Sequence, residues 1–262
     1  MYKLWYLHTY KISFIGAGNV ASHLAQDLFD AGHTIVQVFS RHKENASELA
    51  SFVNAESINS LEAVNGKADV YIISVKDDAV AEIAATLPLT GKFILHTSAS
   101  VPTVPPKKSN NHFGVLYPLQ TFSKSIPVDL SKVPIFIDGE DAETKKTAGN
   151  IAASLTLHVY EADEKKRLAL HVAAVFANNF TNHTLALAEA VMKKEGLNFD
   201  LLKPLVETTL EKVRSYSPSA VQTGPAARND TTTIKKHEEY LEGDEHLLKI
   251  YKLLTTSIHE LK

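Results

Sequence analysis

Residues 11–42 contain Gly16-Ala17-Gly18-Asn19-Val20-Ala21, and where this pattern falls constrains the fold more than any other feature of the chain. Residues 11–15, Lys-Ile-Ser-Phe-Ile, are a short, mostly apolar run of the kind that forms a buried parallel strand. From Val20 onward apolar residues recur at helical spacing (Val20, Leu24, Leu28), and Gly32 supplies a C-terminal stop. Residues 34–39 form a second β-branched run. Gly-x-Gly-x-x-Ala thus sits on the strand-to-helix turn of a β-α-β unit, the context that gives this common pattern its meaning. In that context Gly16 permits a tight turn, Gly18 lets a pyrophosphate approach the backbone, and Ala21 lets helix and strand pack closely. The helix N-terminus offers free N–H groups and a partial positive charge to phosphates, so Gly16, Ala17, Gly18, Asn19 and Val20 are candidate cofactor contacts.

The end of the second strand selects the dinucleotide. An NAD site carries Asp or Glu there to accept from the ribose 2′-hydroxyl. Here the chain reads Ser40-Arg41-His42. A guanidinium can fork onto a 2′-phosphate and a hydroxyl can donate to it, whereas a carboxylate would repel it. Ser40 and Arg41 therefore point to NADP. The alternative is a solvated arginine after a strand.

Composition closes off other classes. The net charge of -3 gives no basic footprint for nucleic acid, and no polybasic stretch suggests a membrane surface. The chain has no cysteine, which excludes disulfides, thiolate catalysis and Cys-ligated zinc and fits a cytoplasmic location. Twelve histidines are present, none paired at metal-ligand spacing on a helix, so no metal site is expected. No Gly-x-Ser-x-Gly elbow occurs, against a Ser-His-Asp hydrolase. Residues 1–10 have no sustained apolar core of a signal peptide, and no run approaches the roughly 20 apolar residues of a membrane span.

The first half alternates strands (68–75, 93–96, 112–117, 134–138, 157–160) with helices (43–53, 77–87, 142–155), and a Pro-rich loop follows at 101–108. Such alternation specifies a doubly wound, mostly parallel α/β sheet. Near residue 162 the pattern changes. Residues 163–195 contain no Pro or Gly and read as one long helix, Gly196 and Asn198 break it, and further helices cover the rest. The expected domains are 1–162, which binds the dinucleotide, and 163–262, an all-helical substrate and dimerisation domain.

Ligands in such sheets bind beyond the carboxyl ends of the strands. Val75 should run under the cofactor ribose, although the acids after it equally suit a helix N-cap. Thr97 and Ser98 bring hydroxyls to the nicotinamide end, Thr97 as a cofactor contact and Ser98 as a catalytic one; loop capping is the plain alternative. Residues 117–122 form the lip of the pocket, with Gln120 toward the substrate. On the long helix, His171, Asn178 and Asn182 lie within roughly 20° of one line at 100° per residue, among apolar neighbours. His171 is the candidate proton donor and Asn178 orients the substrate, with Asn182 beside them. The alternative is hydrogen bonding within the core or across a dimer interface. Arg228 could hold a substrate carboxylate, fold back on Asp230, which reads as an N-cap, or reach a partner subunit.

Taken as a set, Gly16–Ala21, His96-Thr97-Ser98, residues 118–122, the His171…Asn178-Asn179 helix and residues 223–230 resemble a bacterial family. That family joins a Rossmann-like domain to a helical domain of unknown function and is labelled as NADP oxidoreductases, or as deazaflavin-dependent ones by analogy. The resemblance covers nearly the whole chain from residue 11. More distantly the layout is similar to pyrroline-5-carboxylate reductase, ketopantoate reductase and the β-hydroxyacid dehydrogenases. The last two carry a catalytic Lys on the first long helix, with Asn one turn on. Here the aligned position holds His171, four residues on is Val175, and Asn comes at 178. The family also tends to have His where this chain has Tyr117, and Gly where it has Asn229. The resemblance implies the fold and the NADP cofactor, but not the reaction. The reading that follows is an NADP-dependent oxidoreductase moving hydride between the nicotinamide and a small carbonyl or imine. Apolar residues on more than one face of the long helix lead to the expectation of a homodimer. Two rivals stay open: an NADP-binding sensor without turnover, and an enzyme that replaces or supplements NADP with a deazaflavin.

Overall fold

The computed structural model describes residues 8–103 and 110–261, so most of the N-terminal ten and of the Pro-rich loop lie outside the described residues. Two compact units divide between Asn178 and Asn179.

The first unit is built on β1 (Lys11–Ile15), α1 (Asn19–Asp30), β2 (Thr34–Phe39), α2 (Lys43–Phe52), β3 (Glu56–Ile58), β4 (Val70–Ile73), α3 (Asp77–Thr86), β5 (Phe93–His96), β6 (His112–Pro118), β7 (Ile135–Gly139), α4 (Ala142–Ala153), β8 (Val159–Glu161) and α5 (Glu164–Ala174). The eight strands lie in the order β3-β2-β1-β4-β5-β6-β7-β8. All neighbours are parallel except β6 and β7, which pair antiparallel from Gly114↔Gly139 to Pro118↔Ile135. The strand order reverses at β1, between β2 and β4. Every residue of β4, Val-Tyr-Ile-Ile, is buried, because a central parallel strand is covered on both faces.

Two apolar layers do that covering. Ile12, Phe14, Val70, Ile72 and Leu95 meet Leu24 and Leu28 of α1 and Ile151 of α4 on one face. Ile15, Tyr71, Ile73 and Ile94 meet Val80 and Ala84 of α3 on the other. Each such side chain contributes about 1.5–3 kcal/mol when fully buried. The described end of the N-terminal stretch joins this core: Tyr10 is buried, its ring stacks on His33, and its hydroxyl accepts from Asn150 at 3.0 Å.

The expected single helix over 163–195 is interrupted. Asp163 caps α5 by accepting from the Lys166 N–H at 2.9 Å, but Val175–Phe180 forms a π turn before α6 (Thr181–Lys194) begins. A π turn takes an extra residue per turn, so Asn178 is rotated away from the line that α-helical counting draws through His171. The apolar neighbours of that line are not buried either: Val172 is 50% exposed, and Arg167 is the buried residue of α5. β8 ends at Glu161, where the sequence turns all-helical. The compact division comes later because Arg167 fastens α5 to the sheet-bearing unit.

The second unit holds α6, α7 (Lys203–Ser215), α8 (Pro225–Arg228), α9 (Thr231–Leu241) and α10 (Glu245–Glu260). Gly196 at φ 68° ends α6. Asp230 caps α9, accepting from the Thr233 N–H at 3.0 Å, and Asp244 caps α10. Among the described residues no helix is long and apolar enough to cross a membrane.

Candidate functional site

The site lies at the carboxyl ends of β1, β4, β5 and β6, beside the reversal of strand order. Gly16 leaves β1 at φ 123°, and a Cβ there would collide with the Ser74 carbonyl at the end of β4. Only glycine fits this turn. Gly18 is different. It caps α1 without a side-chain hydrogen bond, and a Cβ built on it meets nothing within 4 Å. The backbone at the start of α1 is thus open to approach at Gly18, and among the described residues no side chain caps its first N–H groups, as a pyrophosphate cradle requires. Ala21 is fully buried against the sheet. The residues present fit a dinucleotide.

At the end of β2, Ser40 is buried and its Oγ accepts from the His42 N–H at 3.2 Å. Arg41 is exposed and makes no ion pair among the described residues. It is free to meet an anion. Val75 lines the turn, with its Cγ1 3.2 Å from the position of a Gly16 Cβ. Thr97 donates to the Ser74 hydroxyl at 3.3 Å.

Ser98 is occupied by its own loop. Its Oγ accepts from the N–H groups of Ser100 and Val101 at 3.1 and 3.2 Å, which is the capping arrangement. The Ser100 hydroxyl in turn donates to Asp77 at the start of α3. His96 is buried, and its Nδ1 accepts from the Ser98 N–H at 3.3 Å. Burial, and then the Arg167 guanidinium, push the His96 pKa down to about 4.

The loop after β6 is laced to two helices. The Asn19 amide donates to the Phe122 carbonyl at 3.0 Å, and the His23 ring meets the Ser123 carbonyl at 3.0 Å. The Asn178 amide donates to the Thr121 hydroxyl at 2.6 Å. At the root of the loop, the Tyr117 hydroxyl lies 3.3 Å from His171 Nδ1. The structure thus joins Asn19 in the glycine-rich turn to the helix bearing His171 and Asn178, through residues of one loop. Gln120 is exposed in that loop, its Oε1 accepting from the Thr121 N–H. Asn182 and Arg228 belong to the second unit, where both are exposed. Arg228 helps hold the Asp230 carboxyl below its usual range, after the backbone and hydroxyl of Thr233.

Tyr117 and Arg167 escape the sequence reading. The sequence puts Tyr117 only on the lip, although a hydroxyl at the carboxyl end of a central strand is itself a signal. Nothing in the sequence marks Arg167: besides the nearby Ala162 carbonyl, its guanidinium meets Asp138, Thr103 and the Val101 carbonyl, which lie 29 and more residues away. A further surprise is the group His112, Glu140 and Asp141, whose potential ligand atoms lie within 4.8 Å of one another. All three are engaged in holding the fold. Asp141 caps α4 and meets His112 at 3.0 Å, and Glu140 accepts from the Phe113 N–H.

Comparison with known proteins agrees with this geometry. Residues 11–100 match the family model described as NADP oxidoreductase coenzyme F420-dependent, and residues 133–258 match a domain of unknown function, DUF2520. Among solved structures, a Bacteroides fragilis protein described provisionally as an NADP oxidoreductase is 42% identical, with TM-score 0.88 over 97% of this chain and 99% of that one. A Thermotoga maritima protein is 20% identical (TM-score 0.80; 95% and 98% covered). A reductive aminase from Aspergillus terreus, solved with NADPH and ethyl levulinate, is 17% identical (TM-score 0.71; 97% and 95% covered) and shares the fold. No curated protein matches the chain.

Proposed function

Because the chain belongs to the family of the Bacteroides fragilis protein, and itself matches the coenzyme-F420-type NADP oxidoreductase model followed by DUF2520, we propose that it is an NADP-dependent oxidoreductase acting on a small carbonyl or imine. The single observation that carries this reading is the lacing of one loop, through Asn19 and Asn178, between the phosphate-cradling turn and the helix bearing His171. NADPH, when bound, supplies the hydride; the protein supplies orientation, charge complementarity and a proton.

The N–H groups at the start of α1 receive the pyrophosphate, and Ser40 and Arg41 receive the 2′-phosphate. Val75 and Thr97 border the ribose and nicotinamide end. His171 is the proton donor, since reduction of a polarised double bond needs one proton and histidine titrates near neutrality. Asn178, held by Thr121, can donate to the developing charge without titrating. Ser98 shapes the floor of the site through its capped loop. Gln120 is the proposed substrate contact within the first unit, and a small molecule is the proposed partner, with no role for nucleic acid or membrane. We propose a cytoplasmic homodimer.

The test is to screen small keto acids and cyclic imines for NADPH oxidation, then to measure His171→Ala. Losing a general acid costs about 10²- to 10⁴-fold in rate, with NADPH affinity retained. Turnover driven only by a reduced deazaflavin would favour that cofactor. NADPH binding with no turnover across the screen would favour a sensor.

A further inference from the structure

Tyr117 is 8% exposed at the end of β6. Its ring packs against Phe136 of β7 and lies edge-on to His171 of α5, each 6.4 Å away between centroids. The hydroxyl reaches His171 Nδ1 at 3.3 Å. Burial, and then the Asp77 carboxylate at the start of α3, raise the tyrosine pKa above its ordinary value. Of the other charged groups on these elements, Arg167 is buried and paired with Asp138, while Glu164, Lys165 and Lys166 of α5 and Asp78 and Glu82 of α3 are exposed. Tyr117 therefore keeps its proton through the neutral range and has it to donate; which of the two groups donates depends on the His171 tautomer.

A hydroxyl that donates to Nδ1 makes that nitrogen the acceptor of a neutral imidazole, and the ring proton then sits on Nε2. His171 is exposed, and its Nε2 has no hydrogen-bond partner among the described residues. We propose that Tyr117 is a positioning residue that fixes His171 as the Nε2–H tautomer, so that the proton-bearing nitrogen is the one on the open side of the ring. The inference rests on the reading above, in which His171 is the proton donor, and names the group that orients it. Tyr117 does not touch the substrate in this account; it acts through His171.

Nitrogen NMR on ¹⁵N-labelled protein tests this directly, with His171→Gln used to identify the His171 signals. At about pH 8, above the ordinary histidine range, the wild type should show a pyridine-like Nδ1 and a pyrrole-like Nε2. In Tyr117→Phe the two signals should move toward each other as the tautomers mix. A wild-type ring protonated on Nδ1 would overturn the proposal without recourse to any variant. So would signals unchanged in a folded Tyr117→Phe protein. Once a substrate is in hand, Tyr117→Phe should lower kcat roughly fivefold, the worth of one neutral hydrogen bond, with NADPH affinity unaltered. A tautomer shift in a protein that turns nothing over would support the positioning role and remove the oxidoreductase reading, so the two ideas fail separately.

Discussion

The guanidinium of Arg167 and the carboxylate of Asp138 meet at 2.8 Å, with the arginine side chain fully buried and the aspartate one-fifth exposed. The same guanidinium donates to the carbonyls of Ala162 and Val101 and to the Thr103 hydroxyl. One side chain of α5 thus ties β7 and the loop after β5 to the helix that presents His171 one turn later. The asymmetry of burial predicts an asymmetry of cost. Asp138→Ala strands a buried cation and should cost about 3–5 kcal/mol. Arg167→Met keeps an apolar stem and leaves a carboxylate that water can reach, so it should cost less. Denaturant midpoints of the two variants check the order; equal losses would contradict it.

His96 predicts a pH dependence. With Nδ1 accepting from the Ser98 N–H, the ring is neutral in the fold, and its pKa is depressed to about 4 from 6.5. Below 6.5 the unfolded chain takes up a proton that the folded chain refuses until about pH 4. Stability is therefore lost as pH falls through this window, by roughly 3 kcal/mol at most, and no further below it. Urea unfolding at a series of pH values should show the loss in the wild type, and His96→Asn should flatten it. A variant that keeps the full slope would assign it to other groups.

The two glycines of the turn should separate folding from binding. Gly16→Ala drives a Cβ into the Ser74 carbonyl at a φ that L-residues avoid, and should unfold or badly destabilise the first unit. Gly18→Ala meets no protein atom and should fold normally. Its methyl group lies where phosphates approach the backbone, so NADPH affinity should fall. Thermal melting paired with NADPH titration distinguishes them; a Gly18→Ala protein that binds like wild type would remove the phosphate from that turn.

How much of the fold and site is legible in the sequence depends on how local each cause is. β5 at Phe93–His96 and α3 from Asp77 are visible because apolar runs and acidic helix starts are local patterns. β3, Glu-Ser-Ile, is not, since it forms only because Gln37, Val38 and Phe39 offer a paired edge. The long helix is legible as a helix, but the π turn at Val175–Phe180 leaves no periodic trace. Helical spacing draws one line through His171 and Asn178, which the π turn breaks, and the partners of these two residues, Tyr117 and Thr121, come from 54 and 57 residues away. Ser98 shows the reverse: the sequence marks the residue, but its loop claims the oxygen.

The outer face of α5 leaves Leu168 and Val172 about half exposed, and the second unit exposes Leu201 and Leu205 at 66% and 64%. Amphipathic helices bury such faces, and homo-oligomers most often do so by two-fold pairing. The chain should therefore run as a dimer in light scattering at micromolar concentration, and Val172→Glu should weaken it. A monomeric wild type would end this proposal.

The central claim is that Ser40 and Arg41 select the 2′-phosphate of NADPH beside a phosphate-cradling turn. Calorimetric titration of the wild type with NADPH and NADH tests it most directly. A hydrogen bond to a charged group is worth about 1.5–3 kcal/mol, so NADPH should bind roughly 10- to 150-fold more tightly than NADH, and Arg41→Ala should erase most of that difference. Equal affinity of the wild type for the two cofactors, or binding of neither, would contradict the account.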